Sequence, residues 1–293
     1  MIYDTFYYND KWLSDFNMKL FDAEDAQTFP TKEMISIDMN SESSKLKVLG
    51  SKFSDTLELK ALICKDPDFY DEYEEMKFSS YDIRNIKSWL MSPKRTLELV
   101  PYTINQYTDN ISYFGMFTDI QPFIVSGECY GLYITFVCDS PYGYSALYTQ
   151  SYDMANKVSL SDVFENTSDE YEDYLYPEIK VYLSNYQEST LTIKNYSDNE
   201  NYMTIKIPNC TEFTIDTYNM LVYDENKNAL LLSDLGWNAS EIFDYNNVGT
   251  GSYNIYWLRF VHGTNNLSFE VNKSGVVNKI EIRARFVRRA DGF

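Results

Sequence analysis

The residues that most often carry out chemistry in proteins are few and scattered in this chain. His262 is the only histidine, and it lies in a turn-like segment between two predicted strands. A catalytic triad would need this histidine beside a nucleophile, but the sequence contains no Gly-x-Ser-x-Gly elbow. Zinc sites built from two or three histidines are excluded by the count. We therefore expect a solvent-exposed turn histidine and a protein that is not an enzyme.

The four cysteines also lack a chemical pattern. Cys64, Cys129, Cys138 and Cys210 lie far apart, with no C-x-x-C pair and no histidine near any of them. This spacing does not fit a zinc site. So few cysteines in 293 residues are typical of a reducing compartment, and we expect buried, free thiols. The sequence leaves disulfides between distant strands open.

Carboxylates are abundant, but their spacing defines no reaction. Among 44 Asp and Glu residues, no pair can be selected for glycoside hydrolysis from sequence alone. The acidic run at residues 65–75 lacks the spacing of a Ca²⁺-binding EF-hand loop, so we predict a solvated loop. The glycine-rich loops that hold phosphate groups are missing from the sequence as well. We expect neither a metal nor a cofactor.

The charge of the chain limits its partners. The formal net charge is −19, which repels nucleic acid phosphates and anionic membrane surfaces. The first residues lack the basic start and apolar stretch of a signal peptide, and no run of 18 uncharged apolar residues occurs. We therefore expect a protein made in the cytoplasm that does not insert into membranes.

The clearest structural signal is a strand that ends in a turn near mid-chain. Leu132, Ile134, Phe136 and Cys138 alternate with other residues, so one face of this strand is predicted to be buried. Residues 139–143 then end the strand, because Pro141 has no N–H for the sheet. We predict that a first domain, residues 1–148, ends here and that a second domain, residues 149–293, follows. The last stretch, residues 279–293, is compatible with either domain.

One segment of the first half has helical spacing. Ile83, Ile86, Trp89 and Leu90 fall on one face, Ser79 or Ser80 can cap the start, and Pro93 follows the end. The surrounding sequence alternates as strands do, at residues 35–39, 57–61 and 96–100. We therefore predict a mainly β first domain with one short α-helix. Its predicted core residues are Trp89, Leu90, Phe136, Cys138 and Pro141.

The second half has the pattern of many short strands separated by Asn, Asp and Gly. The predicted strands cover residues 191–193, 203–207, 213–216, 219–223, 256–260, 267–271 and 279–286, after a region at 146–176 that we interpret as connector plus early second-domain structure. Such regular spacing is typical of a β-sandwich. Arg283 and Arg285 point away from the apolar face of the last strand, toward nearby carboxylates or toward an acidic neighbouring subunit.

Tyrosine is unusually frequent, with 27 residues in the chain. Clusters such as Tyr171, Tyr174 and Tyr176 could stack on sugars or contact proteins, because aromatic side chains give a large contact area at a small entropy cost. A bias of the coding sequence toward Tyr, Asn, Lys and Ile explains most of this excess.

Four segments in order resemble the distal tail proteins of long-tailed, siphovirus-like bacteriophages. They are an opening at residues 6–16, a helix ending in Trp-Leu at 82–90, a Tyr-x-Gly-x-Phe strand at 113–120 and a closing turn at 136–145. The second half is similar at residues 193–198, 212–216 and 263–269, where some members carry a galectin-like β-sandwich. The chain departs from the family at Asn9 and Asp10, where Asn-Gly is common.

The resemblance implies a structural protein of the virion, located in the distal tail. It would form a homo-oligomeric, hexameric ring that connects the tail tube protein to the baseplate hub or tail-associated protein. Receptor-binding and tape measure proteins are further implied partners. DNA would pass through the ring without sequence-specific binding, and an acidic channel would not retain it.

Two other functions stay open at this stage. The second domain could bind a host-surface carbohydrate through Trp237, Tyr256 or Trp257, although Trp257 lies in an alternating segment where core packing is expected. Hydrolysis of host wall polymers is the weakest alternative, because no motif supports it.

Overall fold

Most of the chain folds into antiparallel strands, as the alternation of apolar and polar residues predicts. The computed structural model describes residues 3–21, 31–37, 47–53, 55–70, 72–102, 111–184, 187–236 and 256–289. The predicted fold class is confirmed: the described residues are mainly β, with one short α-helix. Backbone contacts divide the chain into unit 1, Met1–Ala146 with Arg288–Phe293, and unit 2, Leu147–Val287.

Unit 1 is built around one large antiparallel sheet. Its strands are β1 (Thr5–Tyr8), β2 (Lys11–Trp12), β3 (Met18–Phe21), β4 (Lys32–Ile37), β5 (Lys47–Phe53), β6 (Glu58–Lys65), β7 (Leu97–Tyr102), β8 (Ile111–Val125), β9 (Glu128–Cys138) and β10 (Gly143–Ser145). The sheet has the order β2-β1-β7-β8-β9-β6-β3, and β10 pairs with β8. Strands β4 and β5 form a separate two-stranded sheet. Short 3₁₀ turns cover Leu13–Phe16, Pro67–Phe69 and Tyr73–Met76.

The predicted helix is present as α1 (Ser80–Met91). Ser79 is its N-cap: the Ser79 hydroxyl accepts a hydrogen bond from the Asp82 N–H, and the Asp82 carboxylate accepts one from the Ser79 N–H. The helix ends two residues before Pro93, which cannot continue it. Its inner face is buried and carries Ile86, Trp89 and Leu90.

Trp89 lies at the centre of the aromatic core of unit 1. Its ring stacks on Phe6 at 5.6 Å and on Phe16 at 4.7 Å, and its Nε1 donates to the carbonyl oxygen of Tyr8 at 3.0 Å. Leu90, Phe136 and Cys138 are buried in the same core. Pro141 is not a core residue as predicted, because it lies half-buried in the turn between β9 and β10.

Gly115 explains the Tyr-x-Gly-x-Phe spacing of β8. A Cβ at this position would lie 2.1 Å from the carbonyl oxygen of Val137 and 2.9 Å from the Cα of Cys138. The flanking Tyr113 and Phe117 side chains are buried on the inner face. Only glycine therefore lets β8 and β9 approach this closely.

Unit 2 consists of two antiparallel sheets that enclose one hydrophobic core. Its strands are β11 (Tyr148–Asp153), β12 (Ser159–Asn166), β13 (Glu178–Leu183), β14 (Thr190–Asn195), β15 (Asn201–Lys206), β16 (Glu212–Asp216), β17 (Leu221–Asp224), β18 (Gly263–Val271) and β19 (Val277–Ala284). The short β20 (Val287–Arg288) lies at the boundary between the two units and belongs to neither sheet of unit 2. The sheet orders are β11-β19-β13-β16-β17 and β12-β18-β14-β15. Tyr152 of the first sheet contacts Phe269 of the second at 4.8 Å between ring centroids. This is a β-sandwich, and its likeness to galectins stays a prediction.

Three parts of the sequence interpretation need correction. Residues 146–176, predicted as connector plus early second-domain structure, contain two strands that were not predicted individually, β11 and β12, whose outward residues are mostly polar and therefore hide the strand pattern. Residues 256–260 form no regular strand, only a bridge between Phe260 and Leu175. In β4 the predicted inward residue Ile35 is 42% exposed, and Met39 lies outside the described residues.

The basic residues of β19 balance carboxylates on the outer face of the sheet. Arg283 lies 3.4 Å from Glu178 and 3.3 Å from Glu281, and Lys279 lies 2.7 Å from Glu281. These pairs agree with an internally balanced face rather than an arm that needs an acidic neighbour.

Candidate assembly and ligand surfaces

His262 does not lie free in a turn, contrary to the sequence-based expectation. Its ring packs against Tyr171, with the centroids 4.2 Å apart and the planes at 72°, and the residue is half-buried. The nearby Phe260 is fully buried and pairs with Leu175, which draws the segment against the sandwich. The histidine is therefore part of an aromatic contact.

The cysteine environments oppose thiol chemistry. All four thiols are free; Cys138 is buried, and Cys64, Cys129 and Cys210 are half-buried. Burial raises the pKa of Cys138 to about 12 and that of Cys64 to about 11. Since the thiolate is the nucleophile and the metal ligand, these two cysteines are unreactive near neutral pH. Within the described residues, no three His, Cys, Asp or Glu side chains are placed to hold a metal ion.

The aromatic residues predicted to contact sugar do not form one exposed platform. Tyr256 and Trp257 are half-buried and pack against the core of unit 2. Trp237 lies outside the described residues. In place of a Tyr–Trp platform, the 256–262 segment carries a charged network that the sequence did not reveal.

Asp198 is the centre of this network. Its side chain is only 1% exposed, and it accepts hydrogen bonds from Arg259 Nε at 3.1 Å and from the Tyr256 hydroxyl. Burial acts to raise the pKa of Asp198, but the hydrogen bonds from Arg259 and Tyr256 hold it below its usual value. The guanidinium of Arg259 also lies 3.7 Å from the ring centroid of Tyr174. Arg259 is therefore fixed by a carboxylate and an aromatic ring together.

Two buried asparagines hold the backbone of this segment. Asn195 donates to the carbonyl oxygen of Arg259 at 3.0 Å and to Asn265 Oδ1 at 3.0 Å. Asn265 in turn donates to the carbonyl oxygen of Val261 and accepts from its N–H. Both asparagines have no exposed surface. They replace the missing strand ladder, so the segment is ordered without belonging to a sheet.

Unit 1 carries a different kind of surface on β4 and β5. The two strands pair only with each other among the described residues. Met34 is 57% exposed, Ile35 42% and Leu49 53%. A two-stranded hairpin is marginal on its own in water, and exposed apolar side chains on such a strand pair mark a contact surface. Met34 and Ile35 are consecutive in β4 and therefore point to opposite faces, so apolar side chains are exposed on both faces of the strand pair. We refer to these three residues as the hairpin patch.

The tip of the β8–β9 hairpin is also apolar. Ile124 is 58% and Val125 is 40% exposed, just before a tight turn in which Ser126 and Gly127 have φ values of 52° and 87°. Glycine accepts such a conformation readily. Like the hairpin patch, this tip had no signal in the sequence, because period-2 alternation does not show whether the apolar face meets the core or a partner.

Residues 1–140 match the family model described as phage tail protein N-terminal domain. Among solved structures, the chain is similar to Dit (gp 19.1) of phage SPP1, described as a paradigm of the hub adsorption apparatus in phages that infect Gram-positive hosts. That match has a TM-score of 0.60 at 12% identity and covers 96% of this chain and 98% of the other. The chain is also similar to a chain in the structure of the phage P2 baseplate in its activated conformation with Ca, with a TM-score of 0.53 at 11% identity and full coverage of both chains.

No curated protein sequence matches this chain. At 11–12% identity the two structural similarities establish the fold, and the family model matches the first 140 residues. The resemblance to distal tail proteins of siphovirus-like phages is confirmed at this level.

Proposed function

From the premise that residues 1–140 form a phage tail protein N-terminal domain, we propose that this chain is a structural component of the bacteriophage tail tip. It forms a hexameric ring at the distal end of the tail tube and joins the tube to the baseplate hub and receptor-binding components. The observation that carries the proposal is the tail-domain match, supported by a fold similarity to hub and baseplate proteins along nearly the whole chain. The protein acts in the virion after synthesis in the host cytoplasm.

The hairpin patch supplies a physical reason for assembly. Exposed apolar area on β4 and β5 is stabilised only when a neighbour covers it, and each buried Å² contributes about 25 cal/mol. The edges of a two-stranded sheet also present free backbone groups that can pair with another strand. Head-to-tail contacts of this type close into a ring when the rotation between subunits permits it.

The charge of the chain agrees with a DNA conduit. At −19 per subunit, a ring of copies presents like charge to DNA phosphates and does not retain them. The unreactive Cys64 and Cys138 and the packed histidine support a role without catalysis. Within the described ranges, no helix has both the length and the apolar content that a membrane span requires.

Native mass spectrometry and negative-stain imaging of the full chain over a range of concentrations test the proposal. We expect a six-fold ring. The double variant Met34→Asp with Leu49→Asp should shift the population toward monomer by about tenfold or more, because it places charge on the hairpin patch. Met91→Asp is the matched control: Met91 is 44% exposed on α1 rather than on the hairpin, and its replacement should leave the oligomer unchanged.

Two results would contradict the proposal. One is a chain that stays monomeric at every concentration and also fails to assemble on purified tail tubes. The other is a cryo-EM map of the ring in which the channel is lined mainly by Lys and Arg, which would oppose the conduit role.

A further inference from the structure

The loops at one end of the unit 2 sandwich expose five tyrosines. We call this surface the tyrosine end and define it by Tyr171, Tyr174, Tyr176, Tyr196 and Tyr218. Their exposed fractions run from 38% at Tyr176 to 74% at Tyr218. Tyrosines of a sandwich core, such as Tyr152 at 1%, are far less accessible. The five rings therefore do not serve the core of unit 2.

Backbone hydrogen bonds join two of these loops into one surface. The β12–β13 loop meets the 256–262 segment through paired bonds between Leu175 and Phe260, of 2.9 and 2.7 Å. Because Leu175 and Phe260 pack toward the core, their neighbours Tyr174, Tyr176 and Arg259 point outward.

The remaining two loops join the same surface. The β16–β17 loop contacts the β12–β13 loop: the Thr217 hydroxyl donates to the carbonyl oxygen of Pro177 at 2.7 Å, and the Tyr176 and Tyr218 rings lie 6.0 Å apart. The β14–β15 loop is joined to the 256–262 segment through Asp198 and Arg259.

The surface is fixed before any ligand arrives. Arg259 is held by Asp198 and lies against Tyr174, and Tyr174 is still 40% exposed with this contact in place. Lys194 pairs with Glu200 at 2.8 Å and lies 4.4 Å from the centroid of Tyr196. A ring whose orientation is already set loses little entropy on binding.

Charge narrows the class of ligand. The four loops, residues 167–177, 196–200, 217–220 and 256–262, contain six carboxylates and one arginine, and Lys194 beside the second loop adds a further cation. Nucleic acid, anionic lipid and acidic sugars are repelled by this balance. A neutral saccharide fits it: its C–H faces stack on tyrosine rings, and its hydroxyls donate to exposed carboxylates such as Glu172 and Asp173.

We propose that the tyrosine end of unit 2 binds a neutral saccharide. The inference goes beyond the ring function and uses residues other than the hairpin patch. It also replaces the Trp237, Tyr256 and Trp257 set, because Tyr256 and Trp257 pack against the core and Tyr256 donates to Asp198.

The test is binding of the full chain to an array of neutral oligosaccharides built from glucose, galactose and N-acetylglucosamine. Poly(glycerol phosphate) and uronic acid oligosaccharides form the anionic arm. We expect binding to neutral members only. Tyr174→Ala and Tyr218→Ala should each weaken it about tenfold, the loss of one stacking contact. Tyr81→Ala is the control, since Tyr81 is 72% exposed on α1 of unit 1.

Folding and assembly are measured on the same variants. Tyr174 contacts Arg259, so Tyr174→Ala can also disturb this arginine. Tyr218 is 74% exposed and contacts the Tyr176 ring, so Tyr218→Ala tests the proposal independently of Arg259. Absence of binding to every neutral oligosaccharide at millimolar concentration would overturn the proposal. Preferential binding to the anionic arm, or to a tail protein through these tyrosines without sugar binding, would overturn it as well. Ring formation by a chain that binds no sugar would leave the proposed tail function standing.

Discussion

Replacement of Trp89 by alanine tests the physical basis of unit 1. The side chain is 5% exposed and packs between Phe6 and Phe16, so its removal leaves a large cavity in an aromatic core. Truncation of a buried Trp costs about 3–5 kcal/mol. Loss of the hydrogen bond from Nε1 to the Tyr8 carbonyl adds about 1 kcal/mol. The sum, about 4–6 kcal/mol, is comparable to the whole stability of many domains.

Hydrogen exchange of the full chain measures this loss locally, because a chain of two units does not unfold as one transition. Amides of β1 and β8 should lose about 4–6 kcal/mol of opening free energy in Trp89→Ala. Trp89→Phe keeps the ring stacking and loses the N–H donor, so it should cost about 1–2 kcal/mol. Tyr81→Ala, on the exposed side of the same helix, should stay within about 0.5 kcal/mol of the parent. If Trp89→Ala behaves like Tyr81→Ala, α1 does not pack on the sheet as described.

Three further predictions follow from single contacts. Gly115→Ala should lower the stability of unit 1 by about 3 kcal/mol or more, because the new Cβ meets the backbone of β9. Gly127→Ala is the comparison: Gly127 has φ +87° and open space around it, so the substitution should cost only about 1–2 kcal/mol. Equal losses of the two variants in chemical unfolding would refute the close approach of β8 and β9. Tyr8→Phe should stabilise unit 1 by about 1 kcal/mol, because the buried Tyr8 hydroxyl has no hydrogen-bond partner within the described part of the chain. A loss of stability in chemical unfolding would show that this hydroxyl does form a hydrogen bond. The pKa of Asp198 is lower in the folded state than in the unfolded chain, where an aspartate has a pKa of about 3.9. The contribution of Asp198 to the folding stability of unit 2 is therefore present above this unfolded pKa and is lost as pH falls through the lower folded pKa. Asp198→Asn should therefore flatten the stability of unit 2 below about pH 4, and Glu172→Gln, which replaces an exposed carboxylate outside this network, is the matched control.

Local physics was sufficient to predict the helix and the mid-chain strand. The spacing of Ile86, Trp89 and Leu90 and the Ser79 cap act within a dozen residues, so the sequence contains the whole signal. In β9 the alternating apolar residues form a buried face, and the backbone forms strand hydrogen bonds with β8. Side-chain burial and strand pairing occur together in this segment, so the prediction of a strand is confirmed.

Burial and pairing separate at residues 256–260, where the prediction of a strand fails. Leu258 and Phe260 are fully buried, so the alternation correctly indicates which side chains face the core. It does not indicate that the backbone pairs with a neighbouring strand. The backbone is held by the paired bonds between Phe260 and Leu175 and by the side chains of Asn195 and Asn265, all of which come from residues outside the segment. The reverse happens in β11 and β12, which have full ladders to β19 and β18 but few buried apolar residues. The periodicity of apolar residues predicts which side chains face the core, whereas the backbone hydrogen-bond partners determine whether a segment is a strand.

The same distinction explains why the candidate surfaces were not found in the sequence. Asp198 and Arg259 are 61 residues apart, and no local pattern marks a carboxylate that will be buried beside an arginine. The sequence shows Tyr174 and Tyr176 as part of a tyrosine cluster, but it does not show their exposure. Both are exposed because Leu175, which lies between them, pairs with Phe260 and packs toward the core. One partly buried residue therefore orders the tyrosines on the outer surface. A polar replacement of Leu175 should remove that order while leaving the five tyrosines in the sequence.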